Sequence, residues 1–537
     1  MSRTRAFHLL VPASAPEGNL CKNVLSSTLL RYPTPTIINW GRTYDNDTLA
    51  SGGSHLGKIS GVLDHLKTLE VAQDDDMVLI VDGYDIWFQL PPSVLVSRYN
   101  AIIKKAEKRL REDFGKEGLE NSNIRQSIVF SSQKKCWPGG YTDAHCWAVP
   151  LAQLPSDLYG SDTDVDIRSD GDDTYIVARH RQRYLNSGIL MGPAADMRAM
   201  FARALELAEE DPGSGSDQAI FAKIFGAQEY ARTLKKEECQ ASRETTADPS
   251  SSSGNRPTQS ISGDAIRAIP KPPSILDPHP TRKQLDLDAN ENYEFGVNLD
   301  YESTLGQPTV FADFDLDWIT YNDTESLASA RAKNNISHTL PGSDSLDDDL
   351  LHTPGPFAPF SYSTHLSGAP FQPSPISPSS ESDESSVSSS NTSWADVPLF
   401  NNLWTGITPA IIHHNAHRDG LKANRERMWD RIWFQPHARE LLMKRLEEGR
   451  SVSPIAETEG VRWVDSVGDE NKPAGFVFKT DREEEKWISW NEICDQGMQE
   501  EVFRDGKGML EVAGSDGQGS GQGSESSGAE EKDTAEE

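Results

Sequence analysis

The sequence has no apolar run as long as a membrane-spanning helix needs. Cysteine is scarce. The five present (Cys21, Cys136, Cys146, Cys239 and Cys494) never fall in CxxC spacing, which argues against a structural zinc site. Cys136 and Cys146 can pair with each other or remain buried free thiols. Glycine-rich phosphate signatures are also missing, with no complete P-loop and no GxGxxG. Positive charge is in deficit, 52 Lys plus Arg against 83 Asp plus Glu, for a formal net charge of −31. That balance argues against general binding to nucleic acid or an anionic membrane. Hydrophobic residues make up only 36% of the 537, so less of the chain is expected to fold than its length suggests.

What is present is organised around Met77–Asp85, MVLIVDGYD. Five apolar residues form a strand expected to be buried on both faces and parallel to its neighbours. It ends in two carboxylates, Asp82 and Asp85, with Gly83 allowing a tight turn between them. Before it, Phe7–Val11 reads as a first strand rather than a signal peptide. A helix over Leu20–Leu30, a strand at Thr36–Asn39, a Gly52-Gly53 turn and an amphipathic helix over Leu56–Leu69 follow. Lys58 lies in that helix's first turn, either solvated or as a phosphate partner. After it come a helix over Ser93–Arg111 and a strand at Ser127–Ser131. An Asn186-Ser187-Gly188 turn leads into a further strand, and Ala194–Leu207 is helical. A helix over Ala219–Phe225 is capped by Ser216 or Asp217. Late in the chain, Ala410–Ile412 is a short strand ending at His413, and Lys422–Leu446 is a helix.

The fold class is therefore α/β, a Rossmann-like mixed and mostly parallel sheet flanked by helices and interrupted by long insertions without periodicity. The core occupies residues 1–235, 290–321 and 398–450. Disordered insertions are expected at 236–289 and 322–397, a small α+β appendage at 451–512 and a disordered acidic tail at 513–537. Sequons stand at Asn46, Asn322, Asn335 and Asn391, usable only in the secretory pathway.

In an open α/β sheet, ligands bind beyond the carboxyl ends of the strands. Asp82, Asp85 and His413 all stand at such ends. Two carboxylates and an imidazole suit Mn²⁺ or Mg²⁺. Such an ion would neutralise a departing diphosphate, as glycosyl transfer from a nucleotide sugar requires. Asn186 and Asp217 are candidates to orient the sugar, and Trp137 to wall its pocket. The plainest reading of His413 is a structural histidine, and of Trp137 a core residue. A haloacid-dehalogenase phosphatase also places Asp at a strand end, but its two aspartates are one residue apart, whereas two residues separate Asp82 and Asp85.

In order, several landmarks resemble the glycosyltransferase domain of procollagen lysyl hydroxylases. They are Gly52-Gly53 with Lys58, Val81–Asp85 followed by Phe88, Val129–Ser131 with Cys136-Trp137-Pro138, Tyr184–Gly188, Ser216–Gln218 with Phe221, Leu299-Asp300 and Ile411–Asn415. The resemblance covers residues 5–235, 290–320 and 400–445. It implies a GT-A fold, a UDP-sugar donor and hexose transfer to a protein or glycan acceptor; family members act in the secretory pathway, whereas an N-terminus that reads as a strand and not as a signal peptide keeps the cytoplasm open as the alternative. The resemblance implies Mn²⁺ held by Asp82, Asp85 and His413, and a sugar pocket using Asn186 and Asp217. Lys58, Asp82, Trp137 and Asn415 would contact the nucleotide sugar. The chain departs from the family where Ser216 replaces one acid of a pair, Gln133 replaces a glutamate, and Asn415-Ala416 ends the late turn. The departures keep open an alternative, a glycosyltransferase-like binding protein with little or no turnover. Nothing resembling the iron-dependent hydroxylase domain follows, so hydroxylation is not expected.

Overall fold

The computed structural model describes residues 3–43, 53–165, 167–168, 175–211, 215–246, 282–336, 339–357, 392–415, 425–447, 454–468, 473, 475–482 and 486–510. Gly52, Asn46, Asn391 and the acidic tail lie outside these residues.

Among the described residues ten strands form the main sheet. Its spine, Arg3–Pro12, pairs in parallel with Met77–Val81 on one side and with Pro35–Ile38 and Val461–Asp465 on the other. Tyr184–Pro193 runs antiparallel to both Met77–Val81 and Ile128–Gln133, and Val297–Asp300 lies parallel to Ile128–Gln133. This is the mixed, mostly parallel α/β sheet read from the sequence, although Met77–Val81 has one parallel and one antiparallel neighbour.

The apolar runs are continuous because both faces of the sheet are covered. Leu9, Val11, Leu79 and Val81 enter one core while Leu10, Val78 and Ile80 enter the other, the period-two alternation of a strand. Full burial of each such side chain contributes about 1.5–3 kcal/mol. On one face, Gly53–Lys67 packs through Ile59, Leu63 and Leu66, Ala194–Glu210 through Met197 and Phe201, and the helix from Asp217 through Phe221 and Ile224. On the other face lie Gly18–Leu29 and a late aromatic cluster with Trp429 and Phe434.

Several elements differ from the sequence reading. The helix starting at Asp217 continues to Thr246, past the expected onset of the first insertion. Its apolar face is confined to the early turns, so composition alone truncates it. Pro92–Ser122 is longer than read; Pro92 is its first residue, where proline is tolerated, and Gly115, with φ 71°, kinks it. Asn186-Ser187-Gly188 is not a turn but lies within the ten-residue strand Tyr184–Pro193. The helix expected over Lys422–Leu446 is broken into Arg425–Trp429 and Ala438–Glu447, with Pro436 between them.

Part of the second expected insertion is folded. Thr324–Lys333 is a helix capped by Asp323. The buried guanidinium of Arg98 holds Asp349 at 2.6 Å and Asp347 at 2.9 Å. The C-terminal segment is no separate appendage: Val461–Asp465 and Val477–Thr480 extend the main sheet in parallel. Disulfides join Cys21 to Cys494 and Cys136 to Cys146, leaving Cys239 free.

Candidate metal centre

Backbone register brings the predicted ligands together. A three-stranded sheet places Ile411–His413 between Gly306–Pro308 and Ile86–Phe88. His413 is registered opposite Ile86, the residue after Asp85, and the His414 N–H donates to the Asp85 carbonyl at 2.7 Å. Asp82 is tied to the main sheet, its N–H donating to the Gly188 carbonyl at 2.9 Å. Between the two acids the chain passes so close to the first strand that a Cβ on Gly83 would lie 2.4 Å from the Pro12 carbonyl oxygen. Asn23 holds the turn, its Nδ2 donating to the carbonyls of Asp82 and Gly83 at 2.9 and 3.2 Å.

The His413 Nε2 stands 3.4 Å from Asp85 Oδ2 and 3.7 Å from Asp82 Oδ2. These distances exceed the range of about 2.7–3.2 Å for direct N–H···O bonds. Ligands about 2.1 Å from a shared ion, at octahedral to tetrahedral angles, are separated by about 3.0–3.4 Å. The cluster's spacing is close to that of a ligand set, and its three ligand atoms lie within 4.8 Å of one another.

The tautomer of His413 follows from its neighbours. Asn186 Oδ1 accepts the Gly188 backbone N–H at 3.1 Å, which fixes that atom as an acceptor. It also lies 3.1 Å from His413 Nδ1, so Nδ1 must carry a proton. In the neutral ring, Nε2 then presents its lone pair toward the two carboxylates, as a metal-ligating imidazole does. The ring packs directly over Gly188, where a Cβ would sit 2.1 Å from His413 Cε1. A shift of register between Phe130 and Ser131 accompanies this placement of Asn186, as β-bulges re-aim side chains.

Lys58 is buried beneath the acids. Its ammonium contacts Asp82 Oδ1 at 2.6 Å, Asp217 Oδ2 at 2.9 Å and the Ser187 carbonyl at 2.8 Å. Burial alone would lower its pKa, but Asp217 and Asp82 together outweigh that and hold it above the ordinary lysine range. Burial raises the Asp82 carboxyl, with Asp85 and Asp217 acting in the same direction against Lys58 and His413. Asp82, Asp85 and Asp217 outnumber the one ammonium of Lys58 around this point. The donor set therefore fits Mn²⁺ or Mg²⁺.

The other predicted site residues are distributed around this centre. Asp217 opens its helix and pairs with Lys58; the nearby cap contact, Ala219 N–H to Ser216 Oγ at 3.4 Å, belongs to Ser216. Asn415 does not reach toward the ion-facing groups through its side-chain oxygen, which accepts the Val310 N–H at 3.1 Å. Trp137 is not core: it is 55% exposed. Its carbonyl accepts from Gln218 Nε2, and Gln218 Oε1 accepts from Asn186 Nδ2 at 3.1 Å. Sequence reasoning gave Gln218 no role, although its place next to Asp217 was the available signal. His414 points away into the aromatic core, 4.0 Å from the Trp87 ring, where burial pushes it well below the usual imidazole range. Cys136, His145 and Cys146 also cluster, but the two sulfurs are bonded to each other.

Compared with known protein families and with curated proteins, the chain matches none.

Proposed function

We propose that the protein is a metal-dependent glycosyltransferase of GT-A type, transferring a hexose from a UDP-sugar to a protein or glycan acceptor. One observation carries this reading: Asp82, Asp85 and His413 converge, with the His413 Nδ1 proton fixed by Asn186 so that Nε2 faces both acids. The sequence resemblance to the glycosyltransferase domain of procollagen lysyl hydroxylases supplies the donor class.

Bound there, Mn²⁺ or Mg²⁺ would supply Lewis-acid neutralisation of a diphosphate leaving group. Asp82, Asp85 and His413 would hold the ion. Lys58 anchors the far oxygen of Asp82 and adds positive charge beside the phosphate region. Asn186 is a positioning residue, acting through His413 on one side and Gln218 on the other. The exposed Trp137 ring offers a face for a sugar. Asp217 contributes through its ion pair with Lys58.

A second reading, nucleotide-sugar binding without turnover, rests on a specific feature. Asp217, the acid assigned to the sugar pocket, is paired with Lys58, and Gln133 and Ser216 stand where the resembled family has acids. Hydrolysis separates the two readings. The enzyme reading expects Mn²⁺-dependent release of hexose from UDP-glucose or UDP-galactose, abolished by Asp85→Asn. Mn²⁺-dependent UDP binding with no release of any sugar would favour the second.

A further inference from the structure

Gln133, Lys134 and Lys135 leave one strand end in very different surroundings. Lys134 is fully buried, with its ammonium 2.6 Å from Asp315 Oδ2 and over the Tyr159 ring at 4.8 Å. Lys135 is only half-buried. Its ammonium lies 5.8 Å from the centre of the Trp137 ring and 5.6 Å from that of Phe311. Among the described residues no ion pair engages it, in a chain with 83 acids to 52 bases.

Both rings and the lysine are fastened to the metal centre. Gln133 Nε2 donates to the Lys135 carbonyl at 2.8 Å, and Gln133 Oε1 accepts from Asn186 Nδ2 at 2.9 Å. Asn186 is the residue that orients His413. Trp137 is held through its carbonyl by Gln218. Phe311 follows Val310, whose N–H is bound by Asn415, two residues after His413. Phe311 itself sits at φ 60°, a backbone region that bulky side chains rarely occupy.

We propose that Lys135, between Trp137 and Phe311, is a subsite for a sugar ring bearing a carboxylate, a hexuronic acid. This rests on the nucleotide-sugar reading above and names the sugar's charge. An aromatic face accepts the apolar face of a pyranose, while an ammonium beside it pairs with a carboxylate. The neutral amide of Gln133 next to Asn186 removes the repulsion that a carboxylate there would exert on an acidic sugar. A neutral hexose gains nothing from Lys135 beyond a hydrogen bond.

The uronic acid can belong to the donor or to the acceptor, and calorimetry with Mn²⁺ separates the two. One arm compares UDP-glucuronate with UDP-glucose. The other compares p-nitrophenyl glucuronide with p-nitrophenyl glucoside on protein saturated with UDP. The expected result is a preference for the uronate in one arm, reduced about tenfold by Lys135→Met, kept by Lys135→Arg and reversed by Lys135→Glu. No preference in either arm, or one that Lys135→Met leaves intact, overturns the subsite. If UDP itself fails to bind with Mn²⁺, the nucleotide-sugar reading fails, and the subsite with it.

Discussion

Gly188 has no side chain because the His413 ring occupies the space one would need. Gly188→Ala should therefore displace the ring and weaken Mn²⁺ binding at least about tenfold, at a folding cost of about 1–3 kcal/mol; a calorimetric titration at wild-type affinity would contradict this. Asn186→Leu keeps the branching at Cγ but removes the acceptor for Nδ1, and should lower metal affinity by about 10- to 100-fold, again read by titration. Burial raises the Asp300 carboxyl to about 6, against the opposing pull of the Leu305, Thr304 and Gly306 N–H groups. An unfolded aspartate titrates near ~3.9, so the native state holds the extra proton between these values, and stability falls by about 3 kcal/mol as pH rises through them. Asp300→Asn removes that dependence. Its denaturation midpoint should gain on the wild type between about pH 4 and pH 7, whereas a constant gap would show that the carboxyl titrates normally. At this scale the sequence was most legible where chemistry and element end coincide, as at Asp82, Asp85 and His413. It was silent on the Lys58–Asp217 pair, which depends on how two helices pack, and on the part played by Asn186, which depends on a strand alignment; periodicity encodes neither.

At the level of elements, short apolar strands were readable because each is bounded by turn residues and buried on both faces. Element ends were harder. The helix beyond Asp217 runs on without an apolar stripe, and the helix around Trp429 is interrupted near Pro436. The C-terminal strands looked like a separate unit because each is short and only partly apolar. Their pairing with Arg3–Pro12 and Pro35–Ile38 is a long-range choice that local composition does not register. The Cys21–Cys494 bridge locks that choice by joining the first helix to the last segment. Breaking it with Cys494→Ser should lower stability by about 2–4 kcal/mol, measured by chemical denaturation; an unchanged midpoint would mean the segment is held by packing alone. With both bridges formed, alkylation of the unfolded, unreduced protein should label Cys239 alone among the five cysteines. Labelling of all five would contradict both bridges.

Across the whole molecule, the two acids of one turn and a histidine from a distant strand share one edge because three sheet contacts agree: Asp82 with Gly188, His414 with Asp85, and His413 with Ile86. The folded chain thus brings its N-terminal, middle and late segments to a single candidate metal site, and no described helix is long and apolar enough to cross a membrane. Ligand binding at such a site stabilises the native state by mass action, by about 2.7 kcal/mol at a hundredfold excess over Kd. The most direct test is electron paramagnetic resonance of Mn²⁺ titrated into the protein, alone and with UDP. One ion should be taken up per chain, its spectrum altered by UDP, and uptake should vanish in both Asp85→Asn and His413→Gln. Uptake unchanged in those variants, or no uptake by the wild type, would contradict the account.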